Sequence, residues 1–105
     1  MLQKKGVNNM LTNKQIKFLK KEAHHLKPIF QVGKAGVNDM LVQSVDEALE
    51  KRELIKISVL QNCEEDKEDV ADKLANNTGS ELVQLIGNTI ILYKQSKENK
   101  QIELP

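Results

Sequence analysis

The sequence has few residues that could cross-link the chain or anchor it. Cys63 is the only cysteine, so no internal disulfide can form, and a reducing cytoplasmic setting is predicted. No apolar run approaches the ~20 residues of a membrane-spanning helix, and residues 1–10 lack the apolar stretch of a secretion signal. With 105 residues, of which 30% are charged, the chain is predicted to be one soluble domain with an ordinary core and no contact with a membrane.

The sequence motifs of common enzymes are also missing. There is no GxxxxGK[ST] phosphate loop, no GxGxxG dinucleotide turn and no GxSxG nucleophile elbow. Cys63 has no histidine at a spacing typical of a nucleophile pair, and the adjacent His24 and His25 would point about 100° apart on a helix. The acidic run 64–69 lacks the glycine of a calcium loop and indicates a solvated helix start. We therefore expect no enzyme, no metal site, no cofactor and no small-molecule substrate.

Charge is divided unevenly along the chain, although its net charge is only +1. Residues 1–38 contain eight lysines and one acidic residue, Glu22, for a net charge of +7. Residues 39–105 contain eight basic and fourteen acidic residues, for a net charge of −6. This division favours a cationic face that meets a polyanion, although a chance distribution of solvated surface charge would look the same.

Hydrophobic periodicity predicts the element order α-β-α-β-α-β-β. The predicted elements are helices over about 13–26 and 39–51, a third helix that follows a loop over 62–69 and ends at Gly79, and strands over 29–32, 54–60, 82–86 and 89–93. Two strand–helix–strand crossovers and a closing hairpin predict an α/β domain with one mixed four-stranded sheet packed by helices. The last two strands are apolar at nearly every position, so we expect them to be covered on both faces or to lie centrally. Residues 1–10 are predicted to be a flexible N-terminal segment, and residues 95–105 a polar, frayed tail.

Two helix starts carry capping signals. Thr12 is the predicted N-cap of the first helix, with Gln15 placed to return a hydrogen bond to its backbone. Asn38 is the predicted N-cap of the second helix. Pro28 is expected to stop the first helix by about Leu26.

The first helix has a strongly cationic side. With Ile16 at zero on a helical wheel, its apolar stripe centres near about 310°. The sector between roughly 80° and 180° contains Lys14, Lys17, Lys21, His24 and His25, and Lys20 lies on the flank. Such a face suits a polyanion, although a lysine-rich surface kept for solubility would look alike. Phe18 lies near about 200°, beside the cations, where it could pack under a neighbouring segment or stack on a base; packing is favoured.

The second candidate feature is a GxxG loop, Gly33-Lys34-Ala35-Gly36, between the first strand and the second helix. Two glycines three residues apart permit a sharp turn and a close backbone approach. The loop leads into a helix N-terminus, where amides attract phosphate oxygens, and GxxG loops clamp nucleic-acid backbones in KH modules. By itself a GxxG sequence is more often a plain turn; beside a cationic helix, nucleic-acid binding is favoured.

Seven segments together resemble a known family. They are LTNKQ (11–15), AHHLKP (23–28), QVGKAG (31–36), DEAL (46–49), ELIKI (53–57), LVQLIG (82–87) and LYK (92–94). In this order, over about residues 10–95, they resemble the YhbY family of CRM-domain proteins (chloroplast RNA splicing and ribosome maturation). The resemblance covers nearly the whole predicted domain, residues 11–94.

The resemblance implies an RNA-binding domain with a fold similar to the C-terminal domain of a bacterial translation initiation factor. It also implies association with ribosomal RNA in precursors of the large ribosomal subunit. We expect the protein to be a monomer. Residues predicted to contact RNA are Lys14, Lys17, Lys20, Lys21, His24, His25, Lys27, Gly33, Lys34, Ala35, Gly36 and Asn38. Two alternatives stay open: a ribosome-associated module held mainly by protein contacts through its acidic half, and a small enzyme acting on a phosphate ligand.

Overall fold

A computed structural model describes residues 11–105, and these contain three helices and four strands in the predicted order. The elements are α1 (Asn13–Ala23), β1 (Pro28–Val32), α2 (Asp39–Arg52), β2 (Leu54–Val59), α3 (Lys67–Thr78), β3 (Glu81–Ile86) and β4 (Thr89–Tyr93). The predicted α/β class and mixed four-stranded sheet are confirmed. The predicted flexible segment 1–10 lies outside the described residues. No helix within 11–105 is long and apolar enough to cross a membrane.

The sheet has the strand order β1-β2-β4-β3. β1 runs parallel to β2, whereas β4 is antiparallel to both of its neighbours. β4 is central and buried, as its apolar sequence predicts. β3 is not central, because β4 folds back between β2 and β3 and leaves β3 at the edge; α1 and α3 both contact β3, and Ile86 at its end is 56% exposed.

Helices cover both faces of the sheet. On one face α2 and α3 pack through Val45, Leu49, Val70 and Leu74 onto inward-facing residues of β2 and β4. On the other face, α1 packs across β2, β3 and β4 through Leu19 and Ala23. Each fully buried Leu or Val contributes roughly 1.5–3 kcal/mol of burial free energy, so these two layers hold the helices in place.

The helix starts follow their capping signals. Thr12 Oγ1 accepts the Gln15 N–H at 3.1 Å, and Gln15 Oε1 accepts the Thr12 N–H at 3.0 Å, which completes the predicted capping box. α1 ends at Ala23, three residues earlier than predicted. The reason is local, since the Leu26 N–H bonds the Ala23 carbonyl at 2.9 Å, which tightens the chain into a turn ahead of Pro28.

The C-terminal segment, residues 95–105, packs against the rest of the domain, so the prediction of a frayed tail is wrong. Glu53, at the end of α2, is fully buried, and its carboxylate accepts the N–H groups of Ser96, Gln101 and Ile102 at 2.6–2.8 Å. Ile102 and Leu104 also pack against the core cluster under α1. The prediction failed because the segment is polar on average, and its order comes from a carboxylate more than 40 residues away in sequence.

Candidate nucleic-acid interface

The cationic side of α1 is exposed, as the helical wheel predicts. Every basic residue predicted from this region lies in the exposed class, as listed here: Lys14, Lys17, Lys20, Lys21, His24, His25 and Lys27. The ion pairs found within residues 11–105 are Lys73–Glu65 and Lys94–Asp46, so none of these lysines is neutralised by one. Phe18 is half-buried and packs against the cluster under α1, in agreement with the packing interpretation.

The GxxG sequence forms a tight turn at the carboxyl end of β1. The Gly36 N–H donates to the Gly33 carbonyl at 3.0 Å, and Lys34 and Ala35 project at the exposed corners. Gly36 has φ +67°, a conformation that favours glycine, and it is buried. The loop therefore presents the Lys34 ammonium outward from a turn whose second glycine is enclosed.

A carboxylate that the sequence interpretation missed lies beneath this loop. Glu65, from the segment between β2 and α3, accepts the Val37 N–H through Oε1 at 2.8 Å, and its other oxygen pairs with Lys73. A Cβ on Gly36 would collide with the Glu65 side chain. The hydrogen bond from Lys73, together with that from the Val37 amide, lowers the pKa of Glu65, so this carboxylate is ionised at neutral pH.

These contacts change how the start of α2 can bind an anion. The Val37 N–H already donates a hydrogen bond to Glu65. Asn38 is the N-cap, as predicted, and its Oδ1 accepts the Leu41 N–H at 2.8 Å. An incoming phosphate would therefore meet the Lys34 ammonium and not the amides of Val37 and Leu41. The structure places Asn38 in a capping role and leaves only its amide nitrogen available for a ligand.

An open strip of sheet runs between the end of α1 and the GxxG loop. β1 joins the two features and spans about 13 Å. α1 lies across β2, β3 and β4, and Gln31 on the edge strand β1 stays exposed beside the half-buried Ser58 of β2. Lys56, also half-buried, lies on the same face by strand alternation. A partly open strip of β1 and β2 thus leads from the end of α1 to the loop that carries Lys34.

Lys56 and Arg52 extend the cationic region beyond the predicted residues. Both line a groove with His25 and Lys27 at the corner where α1 ends and β1 begins. A sequence signal for Lys56 existed, since Lys56 and Ser58 alternate with Ile55, Ile57 and Val59. Arg52 carried no such signal, because only the chain crossing places the end of α2 beside residues 25–29.

Comparison with known proteins agrees with this architecture. The sequence profile of the CRS1/YhbY (CRM) domain matches residues 11–94. The chain belongs to this family. The resemblance read from the seven segments is therefore confirmed, and every residue of the candidate interface lies within the CRM domain.

Two relatives and one solved structure are similar to this CRM domain over nearly their full length. The Bacillus subtilis protein named Probable RNA-binding protein YqeI is 70% identical over 96 residues, which cover 91% of this chain and 100% of that protein. The Haemophilus influenzae protein named RNA-binding protein is 37% identical over 95 residues, covering 90% of this chain and 95% of that protein. The solution structure of the hypothetical protein SAV1595 from Staphylococcus aureus superposes with a TM-score of 0.76 at 53% identity, over 91% of this chain and 100% of that one.

Proposed function

We propose that this CRM domain binds structured RNA through the cationic side of α1 and the Gly33–Gly36 loop. The observation that carries the proposal is a set of exposed basic side chains on and after α1 that form no ion pair within residues 11–105. A partly open strip of β1 and β2 leads from the end of α1 to Lys34. Relatives named as RNA-binding proteins, one of them 70% identical, support RNA as the polyanion.

The proposed recognition reads phosphate geometry and RNA shape more than base sequence. Fifteen of the sixteen basic residues are lysines, which offer a point charge, whereas reading of guanine edges favours the arginine fork. Aromatic residues make up 3% of the chain, and Phe18 packs inward, so a stacking platform of the RRM type is not present in residues 11–105. If about five phosphates are contacted, the logarithm of affinity falls against the logarithm of salt with a slope of roughly 3.5–4.5.

The wider biological proposal is that the bound RNA belongs to precursors of the large ribosomal subunit. We propose a binding protein without catalysis or cofactor, acting as a monomer in the cytoplasm. Family membership supports this proposal, since CRM domains take part of their name from ribosome maturation. Crosslinking to cellular RNA, followed by mapping of the joined nucleotides, tests it: clustering in large-subunit ribosomal RNA supports the assignment, and scattered or messenger sites contradict it.

The test of the interface itself is the double variant Lys17→Glu, Lys21→Glu. Both side chains are exposed on α1, away from the buried Leu19 and Ala23, so thermal unfolding should be unchanged. RNA affinity should fall strongly, and the salt slope should fall by about 1.5, because two phosphate contacts are lost. An unchanged affinity at low salt contradicts the assignment of this helix face.

A matched control is Lys51→Glu, Lys97→Glu, which makes the same change in charge on exposed residues outside α1 and the Gly33–Gly36 loop. We expect this control to bind RNA far more tightly than the α1 variant. Equal losses in the two variants would mean that net charge, and not the α1 face, governs binding. Ribonuclease treatment of a cell extract tests the protein-contact alternative, because ribosomal association that survives the treatment favours protein contacts.

A further inference from the structure

A small groove lies at the corner of the molecule where α1 leads into β1 and α2 leads into β2. Its volume is about 210 Å³. Three cations and a histidine line it: Lys27 and His25 from the connection after α1, Arg52 from the end of α2, and Lys56 from β2. No acidic residue lines it, and neither Arg52 nor either lysine is in an ion pair within residues 11–105.

The remaining wall of the groove is apolar. Leu26 and Ile29 line it and are among the most exposed large hydrophobic residues described, at 38% and 40%. These apolar side chains are exposed to water and lie next to positively charged side chains. Such a groove fits a ligand that has one flat apolar part and one anionic part. A nucleotide has this composition. Its base can pack against the apolar wall and leave water, and its phosphate oxygens can accept hydrogen bonds from the basic side chains.

The size of the groove limits the ligand. It is smaller than the roughly 300–1,000 Å³ of pockets that enclose drug-sized molecules, so it has room for about one base or one sugar-phosphate unit. A base within an A-form duplex stays stacked and cannot enter it. The groove therefore suits a nucleotide that is already unpaired, at a bulge, a loop or a strand end.

Arg52 gives the groove chemistry that the rest of the interface lacks. It is the only arginine of the chain, and its planar guanidinium can bind a phosphate through two parallel hydrogen bonds or lie flat against a base. The lysines of α1 can do neither with the same geometry. The groove also continues the proposed interface directly, because His25 and Lys27 belong to both.

We propose that this groove receives one unpaired nucleotide of the bound RNA, with the base against Leu26 and Ile29 and its phosphate held by Arg52 and Lys56. The inference rests on the proposed function and adds to it a preference for RNA that contains an unpaired nucleotide. A domain with this groove discriminates between an uninterrupted duplex and the same duplex carrying an unpaired nucleotide. The α1 lysines supply affinity for both RNAs, and the groove supplies the difference.

The experiment compares two RNAs in fluorescence anisotropy titrations. One is a blunt hairpin, and the other is the same hairpin with a three-nucleotide single-stranded extension. We expect the protein to bind the extended hairpin about tenfold more tightly, which corresponds to one good charge-assisted contact. The variants Arg52→Gln and Ile29→Ser should each remove most of that preference and leave the affinity for the blunt hairpin nearly unchanged.

The control is Lys51→Gln, which removes one positive charge from the exposed residue next to Arg52 but outside the groove lining. It should keep the preference. Equal binding of the two hairpins by the unmodified protein overturns the proposal, and so does an Arg52→Gln variant that weakens both RNAs equally. Failure of the proposed function looks different, because then neither hairpin binds and Lys17→Glu, Lys21→Glu changes nothing.

Discussion

The buried carboxylate of Glu53 provides the sharpest test of how this fold is held together. Its backbone has φ +66°, which a residue other than glycine rarely adopts, and its side chain is 0% exposed. The carboxylate accepts the N–H groups of Ser96 at 2.7 Å, Gln101 at 2.6 Å and Ile102 at 2.8 Å. Replacing Glu53 by alanine removes every one of these acceptors while the unfavourable backbone conformation stays.

The expected loss follows from those three contacts. A hydrogen bond to a charged group stabilises by about 1.5–3 kcal/mol, but the C-terminal segment can detach and hydrate its N–H groups, so the low end of that range applies. We therefore expect Glu53→Ala to lower the free energy of unfolding by about 3–5 kcal/mol, against a total of about 5–15 kcal/mol for a domain. Glu53→Gln keeps one side-chain oxygen and should lose less. Glu53→Gly should be about 1 kcal/mol more stable than the alanine variant, because glycine relieves the strained φ.

Urea unfolding of the four proteins measures this order, and amide hydrogen exchange shows whether the C-terminal segment opens first. A loss below about 1 kcal/mol for Glu53→Ala would refute the role given to the carboxylate. If the glycine variant is no more stable than the alanine variant, the argument from backbone conformation is wrong.

The pKa of the Glu53 carboxylate also determines how the free energy of unfolding depends on pH. Burial alone would raise the pKa of Glu53, but the N–H groups of Ser96, Gln101 and Ile102 outweigh burial and hold the pKa below its ordinary value of 4.5. A lowered folded-state pKa means that the stabilisation is fully present above about pH 4.5 and is lost as pH falls through the folded-state value. Unfolding measured between pH 7 and pH 3 should show a flatter profile for Glu53→Gln than for the unmodified protein.

Three further substitutions test local contacts. Gly36→Ala should destabilise the domain by about 1–2 kcal/mol and weaken RNA binding, because φ is +67° and the added methyl group meets Glu65; normal urea unfolding would contradict this. Glu65→Ala should speed hydrogen exchange at the Val37 amide, which loses its acceptor, and unchanged protection would show that the carboxylate does not hold the loop. Thr12→Ala should cost about 1 kcal/mol by removing the N-cap of α1, whereas Asn13→Ala, at an exposed helical position, should cost little.

Much of the candidate site could be predicted from the sequence because its signals are local. The lysines of α1 lie within about three turns of one helix, and the apolar stripe that orients it repeats every three or four residues. The Gly33–Gly36 turn and the two N-caps likewise depend on residues at most three positions apart. Short-range geometry of this kind is encoded directly in residue spacing.

The contacts that complete the site could not be predicted in this way. Glu65 reaches the loop from 28 residues beyond Val37, and Arg52 reaches the groove only because α2 ends beside the start of β1. The acidic run that contains Glu65 looked like a solvated helix start, since nothing in its spacing indicates which backbone amide it will meet.

The sequence by itself determined the seven elements, their order and the cationic side of α1, because caps, turns and hydrophobic periods act over a few residues. Tertiary structure decided that β4 lies between β2 and β3, that Glu53 binds the C-terminal segment 43 to 49 residues away, and that Glu65 closes the space under Gly36. The strand order and these two sets of contacts depend on which buried polar and apolar groups meet when the whole chain packs. No local sequence pattern contains that information.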